Sequence, residues 1–518
     1  MTAREAILAL DLGTTVCKAV LFSQAGEVLA SAERRLEMRR TGDGGAEQHP
    51  ETWWSAATAA VGAAVASVPQ VSLAAVTLCT QRETLVPIDE RMRPLHDAML
   101  WLDARGADLA VRWRERYGPA LQDWTGLVPG APYSAGKIHW WKQHRPDVAS
   151  RTRWYLQPKD YLVYRLTGRV ATDVTLAART LLYNPRLRAW QPELLADLGI
   201  EEHQLPPVLT PDEWVGEVTR EAAEAWGIPS GTPVLLGGGD RPCEVLGCAL
   251  APGEVMESSG TTSNMAAVTG DPRPGHPAVS ATPHVVRGQW VWELGLAGTG
   301  AGLEWLGAWV VQAPHGWADL DRRLSASRPG AGGLLALPFF LGARAPRWSP
   351  EARGALVGLR GTQAGPDVVR AVAEGLAYEL NAALGALREA GIRVEAVRVT
   401  GGLARSGAWN RIKASVYRCP VRQGEVAYGA AFGAFLLAAH RLGWPVDDKT
   451  TRRWNPVVRE YLPDPAWVRV YQTGYQLYEE VYRRLSPVFS ALDGYRRLSE
   501  EAAPQNPTDA LIPDDGLC

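Results

Sequence analysis

Apolar positions in this chain arrive in short runs that stop at sharp polar breaks, and the first run is the most informative. Ala6-Ile-Leu-Ala-Leu10 ends at Asp11 and a Gly13-Thr-Thr15 turn, after which Lys18-Ala-Val-Leu-Phe22 resumes. The pattern predicts a strand over 6–11, a second over 17–23, a hairpin turn at Ala25-Gly26 and a third strand over 27–36. Trp53, Trp54, Ala57, Val61, Ala64 and Val65 then recur at helical spacing between Pro50-Glu51 and Pro69, and Ala74 to Thr80 reads as a buried strand. Three strands, a helix and a strand make α/β layering with an antiparallel start.

The second half alternates in the same way. Val368, Val372, Leu376, Leu380, Leu384 and Leu387 form one apolar stripe between Asp367 and Gly391, which predicts a helix over 367–390. Val394 to Gly402 reads as a strand delivering two glycines, and Ala427 to Ala439 as a helix whose small residues, Gly429, Ala430, Gly433 and Ala434, invite close packing. A chain of 518 residues exceeds what one core serves. The Pro/Gly break at Leu250-Ala-Pro-Gly253 divides it into expected lobes 1–250 and 251–499, with a Pro-punctuated tail, 500–518, expected to be disordered.

A strand that ends on a carboxylate and a Gly-Thr-Thr turn can hold phosphate. Gly13 lets backbone N–H groups face an anion, Thr14 and Thr15 add hydroxyl donors, and Asp11 can hold Mg²⁺ through its water shell. Met256-Glu-Ser-Ser-Gly260-Thr261-Thr262-Ser263 repeats the device. One such turn is also what an ordinary strand end looks like. Two of them suggest two similar lobes clasping the phosphates of ATP.

Composition narrows the partners. Lys and Arg number 54 against 56 Asp and Glu, a net charge of -2, so no whole-chain field favours nucleic acid or an anionic membrane, and small molecules are the better ligands. Cysteines 17, 79, 243, 248, 419 and 518 form no CxxC pair, which fits a reducing, cytoplasmic setting. HExxH and GxxxxGK[ST] are both missing, and no apolar run reaches the roughly 18 to 20 residues that cross a bilayer.

Further blocks follow the first turn in order: Gln81-Arg-Glu-Thr84, Trp101-Leu-Asp103-Ala-Arg105, Tyr133-Ser-Ala-Gly-Lys137 with Trp140, Gly237-Gly-Gly-Asp240, Ser259-Gly-Thr-Thr262, Gly300-Ala-Gly302 with Trp305-Leu306, Ala345-Pro-Arg-Trp348, Ala352-Arg-Gly354, and Thr400-Gly-Gly402 with Trp409-Asn410. In order and spacing the chain resembles the FGGY family of carbohydrate kinases, over residues 6 to about 445. The resemblance implies an α/β fold of two actin-like, ribonuclease H-like lobes with a cleft between them, ATP and Mg²⁺ as cofactors, and a small sugar or polyol as partner. It leaves a homodimer open. It implies that Asp240 is the general base, and that Asp11 and Asp240 flank Mg·ATP. Gln81, Arg82, Glu83, Trp101, Asp103 and Tyr133 would line the sugar pocket together with Asp240. Thr14, Thr15, Lys18, Gly260, Thr261, Thr262, Gly300, Gly401, Gly402 and Ser406 would hold the nucleotide. Arg241 stands where the family usually carries Gln or Asn, a change that could alter the grip on substrate.

The resulting expectation is transfer of the γ-phosphate of ATP to a terminal hydroxyl of a ketose or polyol. Gln81-Arg-Glu-Thr84 and Tyr133 are closest to the glycerol kinase branch, which keeps glycerol as the alternative acceptor. Asn264 stands where glycerol kinases commonly place an aromatic ring, so a substrate of four or more carbons is expected. A non-catalytic sugar sensor and an actin-like or chaperone-like ATPase are the readings of another class.

Overall fold

The computed structural model describes residues 4–260, 262–296, 298, 300, 302, 317–426 and 428–502. The N-terminal lobe is built on β1 (Arg4–Leu12), β2 (Val16–Ser23), β3 (Val28–Arg35), β4 (Val71–Thr80), β5 (Trp214–Glu217) and β6 (Pro233–Gly239). They lie side by side in the order β5-β6-β4-β1-β2-β3. β1, β2 and β3 pair antiparallel, while β4 and β6 join parallel to one another and to β1. Helix α1 (Pro50–Ala66) covers one face, burying Trp53, Ala57, Val61 and Ala64 of the expected stripe. Between β4 and β5, residues 107–200 fold into a helical layer with its own core around Trp113, Trp141 and Tyr155. This layer includes α2 (Ser134–His144).

The C-terminal lobe repeats the plan. Its sheet holds β7 (Glu254–Ser259), β8 (Ser263–Thr269), β9 (Ser280–Pro283), β10 (Trp290–Leu296), β11 (Ala396–Thr400), β12 (Val421–Gly424) and β13 (Val457–Tyr461), in the order β9-β10-β8-β7-β11-β12-β13. β7, β8 and β10 are antiparallel neighbours, and β11 and β12 continue parallel from β7. Each lobe thus carries the same motif of three antiparallel and two parallel strands, its first hairpin closing after Leu12 in one lobe and after Ser259 in the other. This is the two-lobed, actin-like α/β fold.

Helix α3 (Asp240–Gly247) leaves β6 in the first lobe. In the second lobe come α4 (Gly365–Glu389), α5 (Gly407–Tyr417), α6 (Gly429–Arg441) and α7 (Pro465–Ala502). α4 begins two residues before the sequence pattern predicts. α7 continues three residues into the segment expected to be disordered, since Glu500, Glu501 and Ala502 are strong helix formers. Positions 503–518 lie outside the described residues. Among the described residues no helix is long and apolar enough to cross a membrane.

The lobes are joined where α6 crosses α3. A Cβ on Gly433 would fall 1.8 Å from the Cys243 carbonyl oxygen, so the two backbones touch with no side chain between them. Phe432 and Phe435 of α6 pack on Phe22 of β2, the Phe22 and Phe435 rings stacking at 4.7 Å. These rings extend a shared core with Ile7, Ala9 and Val20 of the first lobe. The small-residue pattern of this helix therefore serves the joint between the lobes. Gly433→Ala should lower the unfolding free energy by about 2–3 kcal/mol in urea titration, because the extra methyl forces α6 off α3. Gly385→Ala, where nothing lies within 4 Å, should leave stability equal or slightly raised.

Candidate active site

Three strand ends and one helix start meet at the cleft. Asp11 lies at the end of β1, in register with Lys18 of β2 and Cys79 of β4. Asp240 is the first residue of α3, where the helix N-terminus favours an anion, and its carboxylate accepts from the Arg241 N–H at 2.7 Å. Arg82 Nε lies 3.6 Å from Asp240 Oδ1. The Asp240 side chain is 38% exposed, opening into the cleft, while Arg82 is only 8% exposed. Burial pushes the Asp240 carboxyl above the usual range, and Arg82 and Arg241 pull it back toward the ionised form.

Burial also pushes the Asp11 carboxyl up to about 7, with Lys18 opposing and Asp240 and Glu244 adding repulsion. Three acidic groups thus converge with Lys18 as the main compensation, an arrangement of hard oxygen donors that suits a hydrated divalent cation. Among the described residues no group of three or more acidic, His or Cys side chains forms a ready-made metal site.

On the sugar side, the polar segment after β4 is held tightly. Arg82 donates to both oxygens of Glu293, at 3.0 and 3.1 Å, and Arg179 donates to Glu293 Oε1 at 2.7 Å and to Glu83. Glu293 sits in β10, so this buried group bridges the two lobes. Although burial alone would raise it, the two guanidiniums hold the Glu293 carboxyl down at about 2. Glu83 adopts a left-handed backbone with φ 65°, and Gln157 and Ser134 fix its main chain. Strain of this kind at a polar loop is characteristic of a ligand site. The Arg179 guanidinium lies 5.0 Å above the Tyr133 ring, which places Tyr133 against Glu83 and Arg179.

The other expected sugar residues divide. Trp101 donates its indole N–H to Thr14 Oγ1 at 2.8 Å, linking the sugar side to the first phosphate turn. The Gln81 side chain is spent behind the wall, accepting from Thr14 and Thr84. Asp103 does not face the cleft: its side chain is fully buried against Arg105 and the Ala46 N–H. Arg241 turns to Glu244, which Ser258 also reaches. Asn264 of β8 lies beside Gly295, directly across the hairpin on β10.

On the nucleotide side, Thr15 is exposed at its turn. Gly260 is exposed too, its N–H donating to the Thr262 carbonyl and its carbonyl accepting from the Gly300 N–H at 3.0 Å. Thr261 lies outside the described residues, as do Trp305 and Leu306. Lys18, Thr400, Gly401, Gly402 and Arg405 share a polar cavity of ≈ 300 Å³ between the lobes. At Gly401, φ is +85° and a Cβ would sit 2.4 Å from the Ser259 carbonyl oxygen, so only glycine lets this turn abut the second phosphate turn. Ser406 caps α5 through Trp409 N–H and bonds Asp321. Its hydroxyl is buried in the helix start.

Sequence reading missed Arg179, Glu244, Glu293 and Arg344. Glu293 carried a signal, a lone acid within the apolar run Trp290-Val-Trp-Glu-Leu. Arg179 and Arg344 lie in loops whose pattern says nothing of the cleft.

The N-terminal domain of the FGGY family of carbohydrate kinases matches residues 6–247, and the C-terminal domain of that family matches 255–442. A xylulose kinase of Bacillus subtilis (strain 168) is 28% identical over 498 residues, covering 95% of this chain and 99% of its own. A glycerol kinase of Gloeobacter violaceus (strain ATCC 29082 / PCC 7421) is 34% identical over 451 residues, covering 83% and 88%. Among solved structures, a xylulose kinase from Rhodospirillum rubrum superposes with a TM-score of 0.86 at 26% identity, covering 94% of this chain and 100% of that one. With its two lobes and these matches, the chain belongs to the FGGY family of carbohydrate kinases. It is an ATP-dependent phosphotransferase with an alcohol group as acceptor.

Glu293→Gln should lower stability by about 3 kcal/mol in urea at pH 7, since two buried guanidiniums lose their shared charge. The sign with pH follows from the depressed carboxyl. Its stabilisation is complete above the ordinary 4.5 and is lost as pH falls toward 2, so the gap between wild type and variant should narrow only below about pH 4.5.

Proposed function

We propose that the acceptor is a ketose or polyol of four or more carbons, phosphorylated on a terminal hydroxyl with Asp240 as general base. The observation that carries this reading is the position of Asp240: it heads α3, opens into the cleft, and stands between the Arg82-Glu83 loop and the acidic ledge of Asp11. Asp240 takes the hydroxyl proton as the sugar oxygen bonds to the γ-phosphorus and the bond to the β–γ bridging oxygen breaks, releasing ADP. Arg82 keeps the carboxylate ionised, and Glu83 offers acceptor oxygens to sugar hydroxyls. Thr14, Thr15, Lys18, Gly260 and the Gly401-Gly402 turn would hold the nucleotide, and Asp11 and Asp240 would hold Mg²⁺. The bound ion would neutralise phosphate charge in the cleft.

Glycerol is the competing acceptor, supported by the 34% identity to a glycerol kinase and by the Gln81-Arg-Glu-Thr84 segment. Asn264 favours the longer substrate. An amide beside the bare backbone of Gly295 leaves room and supplies both donor and acceptor, where a ring would fill the space. Buried, free cysteines at 17, 79, 243, 248 and 419 support a reducing, cytoplasmic compartment.

Asp240→Asn tests the base. Its kcat should fall by about 10² to 10⁴, the usual worth of a positioned base, while ADP binding by calorimetry stays within about threefold. Turnover within tenfold of wild type would remove Asp240 from this role.

A further inference from the structure

Four arginines reach the sugar side of the cleft, and three of them have carboxylates. Arg82 and Arg179 share Glu293, Arg179 also holds Glu83, and Arg241 has Glu244. Arg344, from the loop before Ala345-Pro-Arg-Trp348, forms no ion pair with a described residue. It is recessed enough that burial pushes its guanidinium below the usual value, and the groups that act on it electrostatically are Tyr133, Arg179, Glu83 and Glu293, the sugar-side set itself. A Cβ built on Gly295 would lie 3.1 Å from Asn264 Oδ1 and 3.3 Å from Arg344 Nη2. The guanidinium, the Asn264 amide and the open backbone of Gly295 therefore come together on the C-terminal-lobe wall of the pocket, facing the Tyr133 side of the other lobe.

A guanidinium carries five N–H donors and no acceptor. A hydroxyl must spend its own hydrogen elsewhere to satisfy such a partner, whereas a carbonyl or carboxylate oxygen offers only lone pairs and matches the fork. We propose that Arg344 is a specificity-determining residue that receives an acceptor-only oxygen at the outer end of the substrate, so that the preferred acceptor is a ketose or an aldonate and not the fully reduced alditol. The inference rests on the carbohydrate kinase reading and revises its acceptor class, keeping the ketose, adding the aldonate and setting aside the polyol. The ketose carbonyl and the aldonate carboxylate are two sources of one chemistry.

The test uses the full chain and sugar-dependent ADP release, with a ketose, an aldonate and an alditol of equal carbon number. The ketose or the aldonate should exceed the alditol by about tenfold or more in kcat/KM, because a site built around directed donors penalises a poorly matched group strongly. Arg344→Gln should remove most of that margin, chiefly by raising KM for the oxo-bearing acceptor, with a smaller loss for the alditol and the KM for ATP within about twofold. Arg344→Lys identifies the source: partial recovery with an aldonate and none with a ketose points to the carboxylate. It also guards against misfolding of the glutamine variant. An alditol used as well as both oxo-bearing acceptors, or equal losses for all three in either variant, would overturn the role of Arg344 while leaving the kinase intact. Absence of turnover with every acceptor would overturn the phosphotransfer reading, and this inference with it.

Discussion

One buried carboxylate holds the cleft in its working arrangement. Glu293 belongs to the C-terminal sheet, yet both of its oxygens are taken by guanidiniums of the N-terminal lobe. Two arginines sunk in protein without a counter-charge would each cost several kcal/mol, so the pair of lobes is held in register at this point. The same contact sets the chemistry. Arg82 Nε also lies 3.6 Å from Asp240 Oδ1. Glu293 thus occupies Arg82 while leaving it near enough to oppose the burial that raises the Asp240 carboxyl.

The rest of the architecture serves that meeting point. Two copies of one strand order present two Gly-Thr-Thr turns to the same space, and the α3–α6 crossing sets their separation by direct backbone contact at Gly433. α3 does double duty: its C-terminal part packs against α6, and its first residue is Asp240. A change in the helix crossing is therefore a change in where the proposed base stands.

Much of the fold was legible because local pattern and global role agreed. The strand that ends at Asp11, the stripe of α4 and the small residues of α6 all follow from periodicity and from the packing that glycine permits. Candidate site residues stand out where polar chemistry interrupts an apolar run, as at Arg82-Glu83 and Gly239-Asp240. Three expected side chains are engaged within the protein for a common cause. Gln81, Asp103 and Ser406 look like ligand groups in sequence, but each is held by neighbours, Thr14 and Thr84 for the first, Arg105 for the second and the start of α5 with Asp321 for the third. Arg179 and Arg344 failed in the opposite sense, since a lone arginine in a loop has no pattern and gains meaning only from partners far away in the chain. The helical layer of residues 107–200, which carries Tyr133 and Arg179, was hidden because its tryptophans serve a local core.

Phosphoryl transfer requires the two lobes to place ATP against a sugar hydroxyl, which we propose is held beside Asp240. The most direct measurement is ADP release by the purified full chain in Mg²⁺ buffer, with and without a panel of ketoses, polyols and aldonates. The account predicts consumption of ATP that depends strictly on one class of added acceptor, with one phosphorylated product formed per ADP. ATP consumed equally with no acceptor present would contradict it and mark the clasp as that of an ATPase.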